Sequence, residues 1–242
     1  MSDTASHPET VLCIPGPWQD RSALLECLMR SESGYIFAGR VLMNMQTKHA
    51  CELEMESRDD RMLPAFQSAG PHWAHTPEMA LIQEHESVVY LIGQGGDREG
   101  GEALMLAARA LLDAGGLGVK VESSWAAHSP AAWQSFCEEL YLFSAFNAYV
   151  LFITGDDVYS CGMHNLGLRD AVVENTVTDE AVELLRVFTR YMFIEGPSIS
   201  DGQTFSVSPE APVYRIRDDA GIDYGDNTLF ANPFGTWRLV AV

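Results

Sequence analysis

Cys161 and His164 are the residues of this sequence whose types and spacing come nearest to nucleophilic chemistry. A cysteine nucleophile needs a histidine base within hydrogen-bond reach, and a spacing of three at a strand end does not by itself bring two side chains together. A small residue at a tight turn and a histidine bonded to the backbone explain the same pair more simply. We therefore keep Cys161 and His164, with His128 near the same pocket, as the basis of an alternative function, an enzyme acting on a small molecule.

The glycine-rich segment Gly93–Gly101 lies between a predicted strand and a predicted helix, which is where phosphate-binding loops occur. A GxGxxG motif beginning at its first glycine would require glycine at the position of Arg98, and the segment has no Lys-Ser/Thr pair of the Walker type. Asp97 and Glu99 would also repel a phosphate. The sequence therefore predicts a flexible connector here and no nucleotide cofactor.

His72 and His75 form an HxxH pair, a spacing that can hold a metal when it lies on a helix. Prolines on both sides of the pair predict a loop instead, and no carboxylate pattern completes a zinc site. The five cysteines are odd in number and contain no CxxC pair, which indicates reduced thiols in a cytosolic protein. We therefore expect no metal site.

The charge of the chain is its strongest global feature. Its 34 acidic and 15 basic residues give a net charge of −19, and only Lys48 and Lys120 are lysines. Such a surface repels nucleic-acid phosphates and anionic lipids and favours a positively charged partner, although solubility alone explains acidity equally well. The polar N-terminus does not resemble a signal peptide, and no apolar run is long enough to span a bilayer. We expect a cytoplasmic protein that binds neither nucleic acid nor membrane.

Three acidic segments are candidates for binding a basic protein surface. The segment CELEME alternates with period two and predicts a strand whose glutamates face water, and two acidic turns follow later in the chain. Neither turn has the oxygen spacing of a calcium loop. An interface also needs aromatic anchors. The predicted partner-binding residues are Glu52, Glu54, Glu56, Asp156, Asp157, Asp218, Asp219, Trp125 and Tyr224.

The stretch from Ala148 to Leu168 is predicted to be the centre of the fold. Ala148–Ile153 is an apolar run typical of a strand buried on both faces, Gly155–Asp157 supplies a turn, and Val158–Cys161 returns as a second strand. Helical patterns precede and follow this hairpin. Asp20 and Thr178 are predicted helix caps, and an alanine- and leucine-rich helix is predicted over 102–114.

These elements predict the α+β class, with a mixed or antiparallel sheet flanked by helices. Residues 11–92 and 118–217 share the order strand, helix, strand, strand, helix, strand, which is also the order of two ferredoxin-like (split βαβ) halves. We expect residues 1–10 to be disordered, 11–116 to form an N-terminal half, and 117–242 to form a C-terminal half packed on it as one compact unit.

Two stretches carry a resemblance. AGGLGVKVESSWAAHSPAAW, residues 114–133, and YSCGMHNLGLRD, residues 159–170, resemble the signature stretches of an uncharacterised bacterial domain family. The resemblance covers roughly residues 85–242. Some members of this group resemble immunity proteins, cytoplasmic partners that neutralise toxins delivered by type VI secretion systems. The resemblance implies an α+β fold and a protein-binding role, and it carries over no catalytic residues.

The leading hypothesis is therefore a non-enzymatic immunity protein whose partner is a secreted toxin, with a basic nuclease as the expected toxin. A nuclease has a basic substrate groove, and an acidic protein can compete with phosphate there. Inhibition would block that groove or a surface that the toxin needs for assembly. The alternatives are a small-molecule enzyme that uses Cys161 and His164, and an adaptor protein without a toxin partner.

Overall fold

Two β-sheets with helices on their faces form this protein, which the computed structural model describes over residues 8–138, 143–174 and 178–242. The first sheet has seven strands and the second has six. The first is antiparallel and the second is mixed, so the predicted α+β class with helices flanking the sheets is confirmed.

The strands of the first sheet are all antiparallel to their neighbours. They are β1 (Glu9–Gly16), β2 (Tyr35–Ala38), β3 (Val41–Asn44), β4 (Ala50–Ser57), β5 (Ser87–Gln94), β6 (Val119–Val121) and β7 (Ala126–His128). Their order across the sheet is β2-β3-β4-β5-β1-β6-β7. The central strands β1 and β5 therefore come from distant parts of the chain.

The second sheet is built from the C-terminal part of the chain. Its strands are β8 (Leu151–Thr154), β9 (Val158–Cys161), β10 (Asp170–Val173), β11 (Thr204–Phe205), β12 (Tyr214–Asp219) and β13 (Thr236–Ala241). Their order is β11-β12-β13-β10-β9-β8, and only the pair of β10 with β13 is parallel.

Helices lie against both sheets, and the first sheet has helices on both of its faces. They are α1 (Arg21–Arg30), α2 (Met62–Ala69), α3 (Pro77–Leu81), α4 (Arg98–Asp113), α5 (Pro130–Glu138), α6 (Ser144–Tyr149) and α7 (Asp179–Glu195). Among them, α4 packs against β1 and β5 and α7 packs against β9 and β10. The buried faces of α4 and α7 share one hydrophobic core, which extends across both sheets.

Helix starts follow the capping residues. Asp20 and Thr178 each accept a hydrogen bond from the backbone N–H three residues on, so both predicted caps are confirmed. Asp97 does the same for α4, which therefore begins at Arg98, four residues earlier than predicted. The predicted flexible connector Gly93–Gly101 is wrong in its extent, because its first two residues end β5 and its last four begin α4.

The two ferredoxin-like halves are not found. In a split βαβ unit, two parallel strands joined by a helix flank a third strand. Here β4 and β5, which the helical segment 62–84 connects, are direct antiparallel neighbours. In the second half, β6 and β7 belong to the first sheet while β8 and β9 belong to the second. The linear order of elements does not encode these long-range pairings, which is why the expectation was wrong.

The predicted strand Ala148–Ile153 is wrong in its first half. Helix α6 extends to Tyr149 and β8 begins only at Leu151. Tyr149 is fully buried, and its hydroxyl donates a hydrogen bond to the Gly101 carbonyl at 2.7 Å. The last turn of α6 positions the side chain for this bond. Strand β8 is a half-buried edge strand rather than one buried on both faces. The predicted return strand Val158–Cys161 is confirmed, and it pairs with β8.

The N-terminal boundary also differs from the expectation. Strand β1 begins at Glu9, so Glu9 and Thr10 are strand residues and not part of a disordered segment 1–10. Residues 1–7 of that segment lie outside the described residues. The predicted boundary between residues 116 and 117 precedes β6 and β7, which complete the first sheet. The division of the chain into two halves stays a prediction.

A buried amide joins the two sheets, and we call it the Asn165 joint. Asn165 lies in the short 3-10 helix Met163–Leu166 between β9 and β10 and is 0% exposed. Its Oδ1 accepts hydrogen bonds from the hydroxyls of Thr10 at 2.8 Å and Ser123 at 2.7 Å, both on the first sheet or its turns. Its Nδ2 donates to the Gly162 carbonyl at 2.9 Å. The joint thus satisfies several buried polar groups at once.

We predict that Asn165→Ala lowers the free energy of unfolding by about 3 kcal/mol, because it leaves two buried hydroxyls without their acceptor. Urea unfolding followed by circular dichroism measures this change. Asn227→Ala, on an exposed loop, is the control and should change stability by less than about 0.5 kcal/mol. Equal effects of the two substitutions would show that the joint is unimportant.

Candidate functional site

The predicted glutamate row lies on β4, where one edge of the strand is open. Strand β3 pairs with β4 only over Ala50–Glu52, and the next residue, Leu53, donates its N–H to the Arg40 carbonyl at 2.7 Å. From there to Ser57, β4 pairs only with β5. Glu52, Glu54 and Glu56 alternate with Leu53 and Met55, as the period-two pattern predicts.

A groove of about 550 Å³ contacts this open part of β4, and we call it the acidic groove. Its charged lining residues are Asp20, Glu54, Glu56 and Glu86, with Arg21 and Arg40. The lining therefore carries four carboxylates and two guanidinium groups, a net charge of −2. A groove of this size and sign suits a positively charged ligand.

Both arginines of the acidic groove are already engaged. Arg40 pairs with Glu52 at 2.6 Å and with Glu54, and Arg21 donates to the Gly39 carbonyl. Asp20 is engaged as the cap of α1. Glu56 and Glu86 are exposed and have no ion pair within the part of the chain that the structure describes. Among the groove's carboxylates, these two therefore have neither an ion pair within the described residues nor a capping role.

Two of the predicted acidic residues of the second sheet, Asp218 and Asp219, are paired within the protein. Asp218 contacts Arg169 at 2.5 Å, and Asp219 contacts Arg238 at 2.7 Å. A hydrogen bond from the Gly221 N–H, with help from Arg238, lowers the pKa of Asp219. Asp156 and Asp157 form the turn between β8 and β9. The pKa of Arg238 is raised chiefly by its hydrogen bond to Asp219, and the negative charge of Asp157 contributes to the same shift.

The two predicted aromatic anchors lie at the ends of one stack. The ring of Trp125 is 5.9 Å from that of Phe230, which in turn is 5.5 Å from that of Tyr224. Trp125 adopts a positive φ of 67° in the turn between β6 and β7 and is 42% exposed. Tyr224 is half-buried and points to Cys161, and burial raises its pKa. Of these two predicted anchors, Trp125 is therefore the one that presents an exposed aromatic ring to a partner.

The ionisation of Cys161 and His164 is unsuited to nucleophilic catalysis. Burial, with the nearby Asp170 carboxylate, raises the pKa of the Cys161 thiol to about 12. Burial lowers the pKa of His164 to about 4, and a contact with the Leu229 backbone opposes this only in part. Neither ring nitrogen of His164 makes a hydrogen bond of standard geometry among the described residues. The pair is therefore a neutral thiol and a neutral, weakly basic imidazole at pH 7.

His128, the third residue of the enzyme alternative, has partners of its own. Its Nε2 bonds the Ala148 carbonyl at 3.0 Å, and its ring packs against those of Trp133 and Phe136. Burial lowers the pKa of His128 to about 4. Its position is explained by packing and by this one hydrogen bond.

A buried polar cluster that the sequence analysis missed lies beside Cys161. Asp170 accepts hydrogen bonds from the Ser160 hydroxyl at 2.9 Å and the Asn232 amide at 2.7 Å, and it borders a cavity of only about 60 Å³. Burial raises the pKa of Asp170 to about 6. An aspartate directly before three apolar strand residues is the one signal in the sequence that indicates a buried acid.

Neither a metal-binding cluster nor a membrane-spanning helix is found in the residues that the structure describes. Between residues 8 and 242, leaving out 139–142 and 175–177, no three or more His, Cys, Asp or Glu side chains cluster as a metal site would require. The HxxH pair begins in a 3-10 turn, Pro71–Trp73, rather than a loop. Across those residues, no helix has the length and hydrophobicity to span a bilayer.

One protein family matches this chain. The family described as "Domain of unknown function (DUF4261)" matches residues 159–232, which is less than a third of the chain. This segment contains Cys161, the Asn165 joint and Asp170, and it overlaps the stretch YSCGMHNLGLRD on which the resemblance to an uncharacterised family rests. No curated protein and no solved structure matches the chain. The family brings no assigned activity with it.

We predict that His164 makes the protein acid-sensitive. The unfolded chain binds a proton on this histidine below its ordinary pKa of about 6.5, whereas the buried ring resists protonation until about pH 4. The contribution of His164 to stability is therefore full above pH 6.5 and is lost as the pH falls toward 4. His164→Phe should reduce the loss between pH 7 and 4.5 by on the order of 2 kcal/mol, measured by urea unfolding.

The exposed histidine His75 provides the matched control, as His75→Gln. This variant should show the same loss of stability with acid as the wild-type protein. If His164→Phe and wild type lose stability in parallel, the buried ring is not responsible.

Proposed function

We propose that this chain is a non-enzymatic protein that binds a basic partner protein, and that the acidic groove is part of the binding surface. The observation that carries the proposal is the pair of exposed glutamates, Glu56 and Glu86, that line a groove of about 550 Å³ without an ion pair among the described residues. Elsewhere, Asp218 and Asp219 of the second sheet pair with Arg169 and Arg238.

A basic partner follows from the electrostatics. The net charge of −19 gives the whole molecule a field that attracts cations, which accelerates encounter at low ionic strength. The acidic groove then supplies local charges that a Lys or Arg side chain can meet. Surface charges of this kind contribute to association rate and selectivity more than to affinity.

We further propose that the partner is a toxin delivered by a type VI secretion system, with a basic nuclease as the expected toxin. The support for this finer proposal is the resemblance of residues 114–133 and 159–170 to a family that includes immunity-like members. The acidic groove could compete with phosphate for a basic substrate groove, or it could cover a surface that the toxin needs for assembly. An adaptor without a toxin partner is the alternative within the same class.

The enzyme alternative lacks a supporting observation. Cys161 is a protonated thiol at neutral pH, and the histidines that were grouped with it are neutral and buried. Asp170 is held by Ser160 and Asn232 beside a cavity too small for most metabolites. His128 and Asp170 have structural partners that account for their positions.

Binding to a basic toxin should be strongly salt-dependent. We expect the purified full chain to form a complex with a toxin encoded next to its gene, and its Kd to rise on the order of tenfold between about 0.05 and about 0.3 M NaCl. Calorimetry measures the Kd, and survival of cells that coexpress toxin and chain measures protection. No complex at low salt, or a neighbourhood without a toxin gene, would contradict the toxin proposal.

Replacing the candidate nucleophile separates the two classes of function. We expect Cys161→Ala to protect cells to the wild-type extent, because the thiol is not a reacting group in this proposal. The unfolding midpoint of the variant is measured alongside, so that a misfolded protein is recognised. Loss of protection by a folded Cys161→Ala variant would favour the enzyme alternative.

A further inference from the structure

Strand β4 has backbone groups that no other strand uses. The N–H of Leu53 points away from β5, since it donates to the Arg40 carbonyl. Backbone direction alternates along an antiparallel strand, so the N–H and C=O groups of Met55 and Ser57 point the same way. Strand β3 has already ended its pairing at Glu52. The acidic groove therefore contains a short, unpaired strand edge.

A buried hydroxyl without a partner lies at the same place. Ser87 of β5 is 2% exposed, lines the acidic groove, and its hydroxyl has no hydrogen-bond partner among the described residues. It pairs in register with Ser57, so their side chains share one face of the sheet. Buried polar groups are nearly always paired, which makes this orphan hydroxyl an indication of a missing donor.

The charges beside this edge are arranged for guanidinium groups. Arg40 contacts both Glu52 and Glu54, which are two residues apart on one face of β4. A guanidinium thus bridges consecutive members of the glutamate row, and its planar fork suits such bridging. Glu56 is the next member of that row, and no guanidinium within the described residues meets it.

We propose that an extended, arginine-rich segment of the basic partner adds to the first sheet as a strand along the open edge of β4. Its backbone would bond Met55 and Ser57, and its basic side chains would reach Glu56 and Glu86 on one face and the Ser87 hydroxyl on the other. This is the β-augmentation mode of peptide recognition, in which backbone bonds give affinity and side chains give selectivity. The inference rests on the proposed function only in that the partner is basic.

The dimensions fit a short segment. Two outward-facing residues on β4 offer backbone groups to a segment of about four residues. The groove volume of about 550 Å³ lies in the range of specific ligand sites. An acidic segment is disfavoured, because its carboxylates would be repelled by those of Glu56 and Glu86.

The test uses the purified full chain and a fluorescent hexa-arginine peptide at low salt, with anisotropy as the readout. A second peptide carries the same six arginines with N-methyl groups on alternate amides, which keep the charge and remove backbone donors. We expect the N-methylated peptide to bind at least about tenfold more weakly, because it cannot complete the strand pairing. Equal affinities would overturn strand addition and leave only electrostatic attraction.

Paired charge variants locate the site. Glu56→Gln/Glu86→Gln should weaken hexa-arginine binding by on the order of tenfold. Glu180→Gln/Glu195→Gln removes the same two charges from exposed positions of α7 and should weaken it less than about twofold. If both double variants weaken binding equally, the peptide senses only net charge and the groove is not its site.

Hydrogen exchange reports the strand directly. The amides of Met55 and Ser57 should become protected when the hexa-arginine peptide is added, whereas unchanged exchange there would contradict the proposal.

Ser87→Ala adds a readout that a purely structural role would not give. It should leave the unfolding midpoint unchanged or raised, because it removes an unpaired buried hydroxyl, yet weaken peptide binding several-fold. Undiminished binding would exclude Ser87 from the site.

The two proposals can fail separately. If the chain binds a basic toxin and Glu56→Gln/Glu86→Gln leaves that affinity unchanged, the groove is wrong and the proposed function stands. If hexa-arginine protects Met55 and Ser57 while no basic toxin forms a complex, the groove stands and the toxin proposal fails.

Discussion

The relative position of the two sheets depends on one buried amide. Asn165 brings the segment between β9 and β10 against β1 and the turn after β6, and each of its side-chain polar atoms is used there. A buried polar group is costly unless it is bonded, so this joint is stable only in one geometry. The backbone N–H of Gly96 adds a further bond to the Asn165 carbonyl at 3.3 Å. The two sheets are thereby fixed as one frame.

The same joint explains the glycines around it. A Cβ on Gly167 would lie 2.2 Å from the Gly96 carbonyl oxygen, and one on Gly162 would lie 2.1 Å from the Tyr149 carbonyl oxygen. Both glycines also have a positive φ, of 77° and 106°. The stretch YSCGMHNLGLRD is therefore required for packing, and it forms part of the segment that the DUF4261 family matches. Cys161 and His164 lie in it as buried residues.

The features that could be predicted from the sequence are those that side-chain type and short-range spacing determine. The glutamate alternation of β4, the caps at Asp20 and Thr178 and the α+β class all follow from side-chain type and short-range spacing. The strand order could not be predicted, because β1 pairs with β5 across about 75 residues. The residues of neither strand specify which other strand it will pair with. An apolar run such as Ala148–Ile153 is compatible with either a helix or a strand. The hydrogen bond from the Tyr149 hydroxyl to the Gly101 carbonyl favours the helix in the first half of this run.

The candidate site shows the same division between local and long-range information. Composition predicts an acidic surface, but it cannot tell which carboxylates an arginine will neutralise, since some of the pairs join residues that are far apart in the sequence. Arg169 meets Asp218 and Arg238 meets Asp219 through the neighbouring strands β13 and β12 and the loop before β10. With only two lysines in the chain, most of the basic charge is on arginines whose planar groups form such fixed internal pairs. Among the exposed acids without an ion pair in the described residues, Glu56 lies on an open strand edge because β3 stops short of it.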